Sequence, residues 1–328
     1  MTTALAGQVL PTARGPLSSA VLDALRGGRP AAVDTAAADP YGDDLQLALH
    51  CCYELHYRGF AGVDDALEWD PDLLALRRGL ETRFLAALRG DVPPGADVDA
   101  EVEALLVEPV GPHVRGVSHH LHRAGTVEQL REYVVHRSIY HLKEADPQAW
   151  AIPRLTGAAK AGLVTVEHDE YGSGRPERMH SRLFAEMMTE LGLSDRYGAH
   201  TDRVSGATLA EVNLMSLCGL HRRLRGASVG QFAMVELTSS PGSERLVRAL
   251  RRLGCGPAAI HFYDEHVEAD AVHEQVVRRQ VLAPLLAAEP ELAADVVFGI
   301  RASRFLGERM GEQVLSCWER GESSLRPA

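Results

Sequence analysis

His266-Val-Glu-Ala-Asp270-Ala-Val-His273 lies inside a run, Phe262 to Leu282, that contains no Gly or Pro and is made mostly of good helix formers. Each residue of a helix turns by about 100°. His266, Asp270 and His273 then fall within roughly 60° of one another on one face. Two imidazoles and a carboxylate aimed at one point form a donor set suited to iron or manganese. A solvated polar face is the competing reading, because Glu265, Glu268 and Glu274 lie nearby.

Working outward, the chain reads as helical throughout. Ala, Leu, Arg and Glu dominate, and aromatic residues are only 5% of the 328, a balance that favours helices. Helices are expected at Leu17 to Leu25, at Tyr41 to Arg58 closed by Gly59, and at Asp70 to Leu88 with Asp70 as cap before Pro71. Further helices are expected at Thr126 to Glu144, Ile152 to Tyr171, Pro176 to Leu191 and Thr208 to Leu237. Ser243 to Leu253, Ile260 to about Ala283 and Pro290 to Glu319 complete the set, while residues 1 to 15 read as a loose tail. Period-two apolar runs, repeats and low-complexity linkers are lacking. The expected fold is all-α, one main bundle with extra N-terminal helices: residues 1–120 as a tail and accessory helices packed on a core of residues 121–328.

A formal charge of −11 argues against nucleic acid or an anionic membrane as the main partner. The five cysteines are odd in number and form no Cys-x-x-Cys, which suits reduced thiols. With no signal-like N-terminus and no apolar run of about 18 residues, we expect a soluble, cytoplasmic protein with no membrane partner.

Other helices carry possible partners for the His266/Asp270/His273 face. Glu236 stands in the apolar run Gln231-Phe-Ala-Met-Val-Glu236-Leu. A carboxylate buried there must be neutralised, bound to a metal or paired, for instance with Arg225. Glu177-Arg-Met-His180 and Asp270-Ala-Val-His273 both place a carboxylate and an imidazole at i, i+3, a device of di-iron bundles. Glu170 ends the acidic stretch Glu167-His-Asp-Glu170 just before Gly172-Ser-Gly-Arg-Pro176, where the helix should break. Such a segment can order when metal binds. Glu144 has His136 and His141 close by, although Lys143 or Arg137 on the surface is its simpler partner. Glu54 and His56 sit two apart and face different sides. Arg222, Arg223 and Arg225 read as a solvated face, and Gly226 and Gly230 as a packing device.

Set in order, Glu144, Glu170, Glu177, His180, Glu236, His266, Asp270 and His273 resemble the ligand pattern of the heme-oxygenase-like di-iron oxidases. The spacing is similar to that of the N-oxygenase domains of N-nitrosourea-forming enzymes and of iron-containing redox enzymes, over about Thr126 to Leu282. This resemblance implies a heme-oxygenase-like seven-helix bundle without heme. It implies two Fe ions, cycling between Fe(II) and Fe(III), held by Glu144, Glu170, His180, Glu236, His266, Asp270 and His273. Glu177 would be a further carboxylate that binds after reorganisation and takes part in catalysis. O2 would be the co-substrate, with an external reductant, and a homodimer is common for the scaffold.

The expected activity is therefore that of a non-heme di-iron oxygenase, an oxidoreductase of natural-product biosynthesis. Its partner would be a small molecule, an amine or guanidine of amino-acid type, oxygenated at nitrogen. Desaturation or cleavage of an amino acid or fatty acid would use the same cofactor. A metal-free, thiaminase-like or structural protein of the same fold is the alternative of another class, but Cys218 and Cys255 lack a nucleophile's surroundings. Heme on His50 or His56 would leave Glu236 and Asp270 against an apolar ring and is not expected.

Overall fold

Asp70 Oδ1 accepts from the Leu73 amide at 2.8 Å, and Thr126 and Gln129 form a reciprocal capping box, so two helix starts sit where their side chains demand. A computed structural model describes residues 8–29, 31–109, 111 and 113–327, apart from the side chains of Glu268, Asp270 and Ala271. In chain order the helices are α1 (Pro16–Leu25), α2 (Asp43–Glu54), α3 (Pro71–Asp91), α4 (Val98–Leu105), α5 (Val117–Arg123), α6 (Val127–His141) and α7 (Asp146–Ala149). They continue as α8 (Gly157–Glu170), α9 (His180–Glu190), α10 (Gly206–Leu220), α11 (Arg225–Leu253), α12 (Pro257–Val276), α13 (Ala283–Ala288) and α14 (Ala293–Glu319). Among the described residues β pairing is limited to an isolated bridge, Gln8 with Phe60. No helix among them is long and apolar enough to cross a membrane.

The long helix α11 is the centre of the packing. On one side it lies against α14, and here two glycines are required. A Cβ on Gly230 would stand 2.0 Å from the Val296 carbonyl oxygen, and one on Gly299 would stand 2.1 Å from that of Ala227. Backbones that close leave no room for any side chain. Gly230 is thus a packing glycine, as its spacing from Gly226 suggests. On its other side α11 meets α12, which packs in turn on α9. The accessory helices share this interior: Leu22, Leu49 and Phe84 belong to the same buried cluster as Leu209, Leu217 and Leu306.

Several expected boundaries move, each for a nameable reason. The helix expected over Thr208 to Leu237 is two helices, because Arg154 donates to the carbonyls of Gly219 and Leu220 and ends α10 there. Conversely, α11 runs through Pro241 without a break. The expected helix from Ile260 opens into a π-helical stretch, Val277–Leu282, one turn before Pro284. Proline has no amide hydrogen to give the preceding turn, and widening the helix accommodates the gap. The first described residue of the expected loose tail is fixed: Gln8 is buried and donates to Glu54 Oε2 at 2.8 Å. Residues 1–7 of that tail lie outside the described set. The short helices α4 and α5 are absent from the sequence reading.

Between α6 and α7 the chain makes a turn that matters for everything below. Ala145 takes the left-handed conformation, φ 75°. Lys143 then points inward, 1% exposed, onto the equally buried Glu54. Tyr197 donates to Glu54 Oε2 at 2.5 Å, and the Tyr57 ring centroid lies 4.0 Å from the Lys143 ammonium. Burial pushes the Glu54 carboxyl up, but Lys143, His50 and the Tyr197 hydroxyl together outweigh it and bring its pKa down to about 2.

Removing one partner of such a pair leaves an uncompensated buried charge. We expect Glu54→Gln to lower stability by about 3–5 kcal/mol, read as a fall in the urea midpoint. A depressed carboxylate stabilises above its ordinary pKa, 4.5, and loses that contribution as pH falls to about 2. The difference between the unaltered chain and Glu54→Gln should therefore shrink across that window. A loss below about 1 kcal/mol at neutral pH would contradict the pair's role.

Candidate metal centre

Four helices and one turn deliver acidic and imidazole groups to a single buried place. Glu144 comes from the turn after α6, Glu170 from the last residue of α8, and His180 from the first residue of α9. Glu236 comes from the middle of α11, and His266 and His273 from α12. Between Glu170 and His180 the chain reverses through Gly172, Ser173 and Gly174, all with positive φ, and Pro176 follows. The two glycines make that left-handed run possible, so the break read from the sequence is what brings His180 back beside Glu170. Their contact, His180 Nδ1 to Glu170 Oε2, is 2.7 Å.

The donor atoms fall into two groups. Those of Glu144, Glu170, His180 and His266 lie within 4.8 Å of one another, and so do those of Glu170, Glu236 and His273. Glu170 belongs to both: Oε2 faces His180, while Oε1 is 3.6 Å from His273 Nδ1. Glu236 Oε2 is 3.0 Å from the same Nδ1. All six residues are buried.

Neighbouring groups fix how the histidines present themselves. His266 Nδ1 lies 2.7 Å from the Phe262 carbonyl. A carbonyl only accepts, so Nδ1 carries the hydrogen and, in the neutral ring, the Nε2 lone pair points into the first group. That lone pair is 3.7 Å from Glu144 Oε1. Arg137 Nε donates to His141 Nε2 at 3.4 Å, which leaves His141 Nδ1–H to donate to Glu144 Oε1 at 2.6 Å. Burial lowers the His141 pKa to about 4, consistent with a neutral ring. Backbone and second-layer partners of this kind hold metal-binding imidazoles and carboxylates in place.

Electrostatically the cluster is short of positive charge. Among the described residues no lysine or arginine forms an ion pair with Glu144, Glu170 or Glu236. The surface partners considered for Glu144 are engaged elsewhere, Lys143 with Glu54 and Arg137 with Glu211. Arg225, the alternative partner for Glu236, pairs with Glu289. Burial raises the Glu236 pKa, with His273 offsetting part of the rise. It works against the charge of His180 too, but Glu170 more than offsets this and raises that pKa. Glu144 Oε2 is buried and takes no hydrogen bond. Oxygen and nitrogen donors that converge with an orphaned carboxylate oxygen fit a hard or borderline cation such as iron.

Other expected residues fare differently. Glu177 is exposed on the short turn Pro176–Arg178 and joins neither group; the turn that returns His180 to the site carries Glu177 outward. The Asp270 side chain lies outside the described residues. One group was missed from the sequence. Glu167, one turn before Glu170, is 2% exposed with both oxygens lacking hydrogen bonds. Burial, then Glu170 and Glu236, push its pKa well up. Its i, i+3 spacing from Glu170 was the available signal. His141, noted beside Glu144 in the sequence, makes the contact that its i, i+3 spacing allows. Glu54 and His56 do part company, Glu54 to Lys143 and His56 to Glu68.

A cavity of about 570 Å3 is lined by Glu144, Glu170, Glu236 and His266. Met215, Met234, Leu246 and Phe262 supply apolar wall, and the half-exposed Arg115 also lines it. The cluster therefore opens on a compartment large enough for a small organic molecule.

Comparison with known proteins agrees with this arrangement. The family model described as iron-containing redox enzyme matches residues 131–308, more than half of the chain. A nitrosourea synthase from Streptomyces achromogenes subsp. streptozoticus is 25% identical over 168 residues, which are 51% of this chain and 36% of that protein. The chain thus spans about a third of the length of this curated relative. With an all-α architecture and a buried Glu/His cluster inside the matched region, the chain belongs to the iron-containing redox enzymes, a heme-oxygenase-like family of oxidoreductases.

Proposed function

We propose that the chain is a non-heme di-iron oxygenase that uses O2 and an external reductant to oxygenate an amine or guanidine nitrogen of an amino-acid-like substrate. The carrying observation is the pair of donor groups that share Glu170 and line one cavity. Glu144, His180 and His266 would hold one ion and Glu236 and His273 the other, with Glu170 between them. When bound, such a pair of Fe(II) ions supplies two electrons and Lewis acidity for the reduction of O2. Nitrogen as the site of oxygenation is supported by the nitrosourea synthase likeness, nitrogen–oxygen bonds being what that relative's name implies.

The chain's own residues supply position and enclosure. The Phe262 carbonyl orients His266, and His141 orients Glu144. The apolar wall keeps water from a substrate held against the cluster, where polar contacts gain strength. Glu167 is buried next to Glu170 and Glu236, its pKa pushed up by burial and by those two carboxylates.

If the donor groups await a cation, divalent metal should stabilise the fold. Mn(II), a redox-silent stand-in, added to metal-free chain at about 100 times its dissociation constant should add about 2.7 kcal/mol, visible as a higher Tm. Glu236→Ala and His266→Ala should lose most of that gain, and Glu177→Gln should keep it. An unaltered chain indifferent to Mn(II) and Fe(II) would contradict the metal site.

For the reaction itself, the reduced, iron-loaded chain turned over under 18O2 with amino acids and guanidines should place label on a substrate nitrogen. Accumulation of an unlabelled alkene or a cleaved product would instead make the enzyme a desaturase or lyase on the same cofactor.

A further inference from the structure

The cavity carries a second charged constellation, apart from the donor groups. Arg137 on α6 and Glu211 on α10 both line it and pair through Nη1 and Oε2 at 3.0 Å. Their side chains are 21% and 13% exposed, partly open yet well withdrawn from the surface. Each spends one atom on the other and keeps one back. Among the described residues Arg137 Nη2 donates no hydrogen bond and Glu211 Oε1 accepts none. Beside them, the Tyr263 hydroxyl is buried, lines the same cavity and has no hydrogen-bond partner among the described residues.

Such a pair is the electrical complement of a zwitterion. A guanidinium edge matches a carboxylate, and a carboxylate oxygen accepts from an ammonium. A ligand bearing both charges adds no net charge beside this pair. A ligand bearing only one would bring a buried charge without compensation, which is strongly unfavourable. A simple fatty acid fails here, since its carboxylate would lie against Glu211. Distance also fits: only the His141 ring separates Arg137 from Glu144, so a ligand headed at Arg137 has its far end near the donor groups.

We propose that Arg137 and Glu211 bind the carboxylate and ammonium of an α-amino acid, with Tyr263 as an additional hydrogen-bond donor, and direct its side chain toward Glu144 and Glu236. This rests on the substrate class in the proposed function and gives it a recognition site. It needs no iron, because neither residue belongs to the donor groups.

The test is calorimetric titration of the full chain, metal-free and, anaerobically, Fe(II)-loaded. The twenty common L-amino acids are screened first, and the tightest binder is compared with its decarboxylated amine and its deaminated acid. Both truncated ligands should bind at least about 30-fold more weakly than the amino acid. Arg137→Gln should abolish the preference over the amine, and Glu211→Gln the preference over the acid. The proposal is overturned if none of the twenty binds, if either truncated ligand binds as tightly as the amino acid, or if each variant weakens all three ligands alike. Should Arg137→Gln fail to fold, the ligand comparison on the unaltered chain still decides. Zwitterion selectivity without label on nitrogen in the 18O2 experiment would leave this site standing and remove the proposed reaction. Label on nitrogen without zwitterion selectivity would do the reverse.

Discussion

Three buried carboxylates with no lysine or arginine among their ion pairs in the described residues are the constraint on which this structure turns. Withdrawing a carboxylate from water costs several kcal/mol unless a countercharge comes with it. Among the described residues the ion-pair partners of Glu144, Glu170 and Glu236 are imidazoles, and these share the burial. Elsewhere the chain pairs its buried acids with basic side chains, as Glu54 with Lys143 and Glu211 with Arg137. The contrast is local, since Lys143 and Arg137 are within a few residues of Glu144 and both turn to other partners. The interior thus holds acids that the chain neutralises, Glu54 and Glu211, beside a group that a cation would satisfy.

Much of the fold can be understood as support for that division. The left-handed turn at Ala145 sends Lys143 one way and Glu144 the other. The glycine run at residues 172–174 reverses the chain so that the end of α8 and the start of α9 face each other. Close approach of α11 and α14 through Gly230 and Gly299 seats the helix that carries Glu236. The π-helical stretch follows directly on the helix that bears His266 and His273 and packs against α8, where a Cβ on Gly162 would meet the Gln280 carbonyl oxygen at 2.7 Å. Helices held by such backbone contacts can keep donor atoms in register through more than side-chain packing.

How much of this was legible in the sequence depended on whether the deciding forces were local. His266 and His273 share a face by helical periodicity alone, and Glu236 is conspicuous as an acid in an apolar run. The reversal at Gly172 to Pro176 is written in residue types. Glu144 is different: its burial depends on Lys143 reaching Glu54, 89 positions away, and no local pattern announces that. The end of α10 depends on Arg154 capping carbonyls across the interior, again a tertiary event. Glu177 looked like a ligand because i, i+3 spacing assumes a continuous helix, and the helix starts only at His180. Arg137 and Glu211 were invisible as a pair because they sit on different helices.

Anomalous diffraction at the iron absorption edge, from crystals grown anaerobically with Fe(II), measures the central claim directly. Two peaks are expected in each chain, one among Glu144, Glu170, His180 and His266 and the other among Glu170, Glu236 and His273. A map in which the three carboxylates are instead satisfied by ordered water or protein groups, with no iron peak between them, would contradict it.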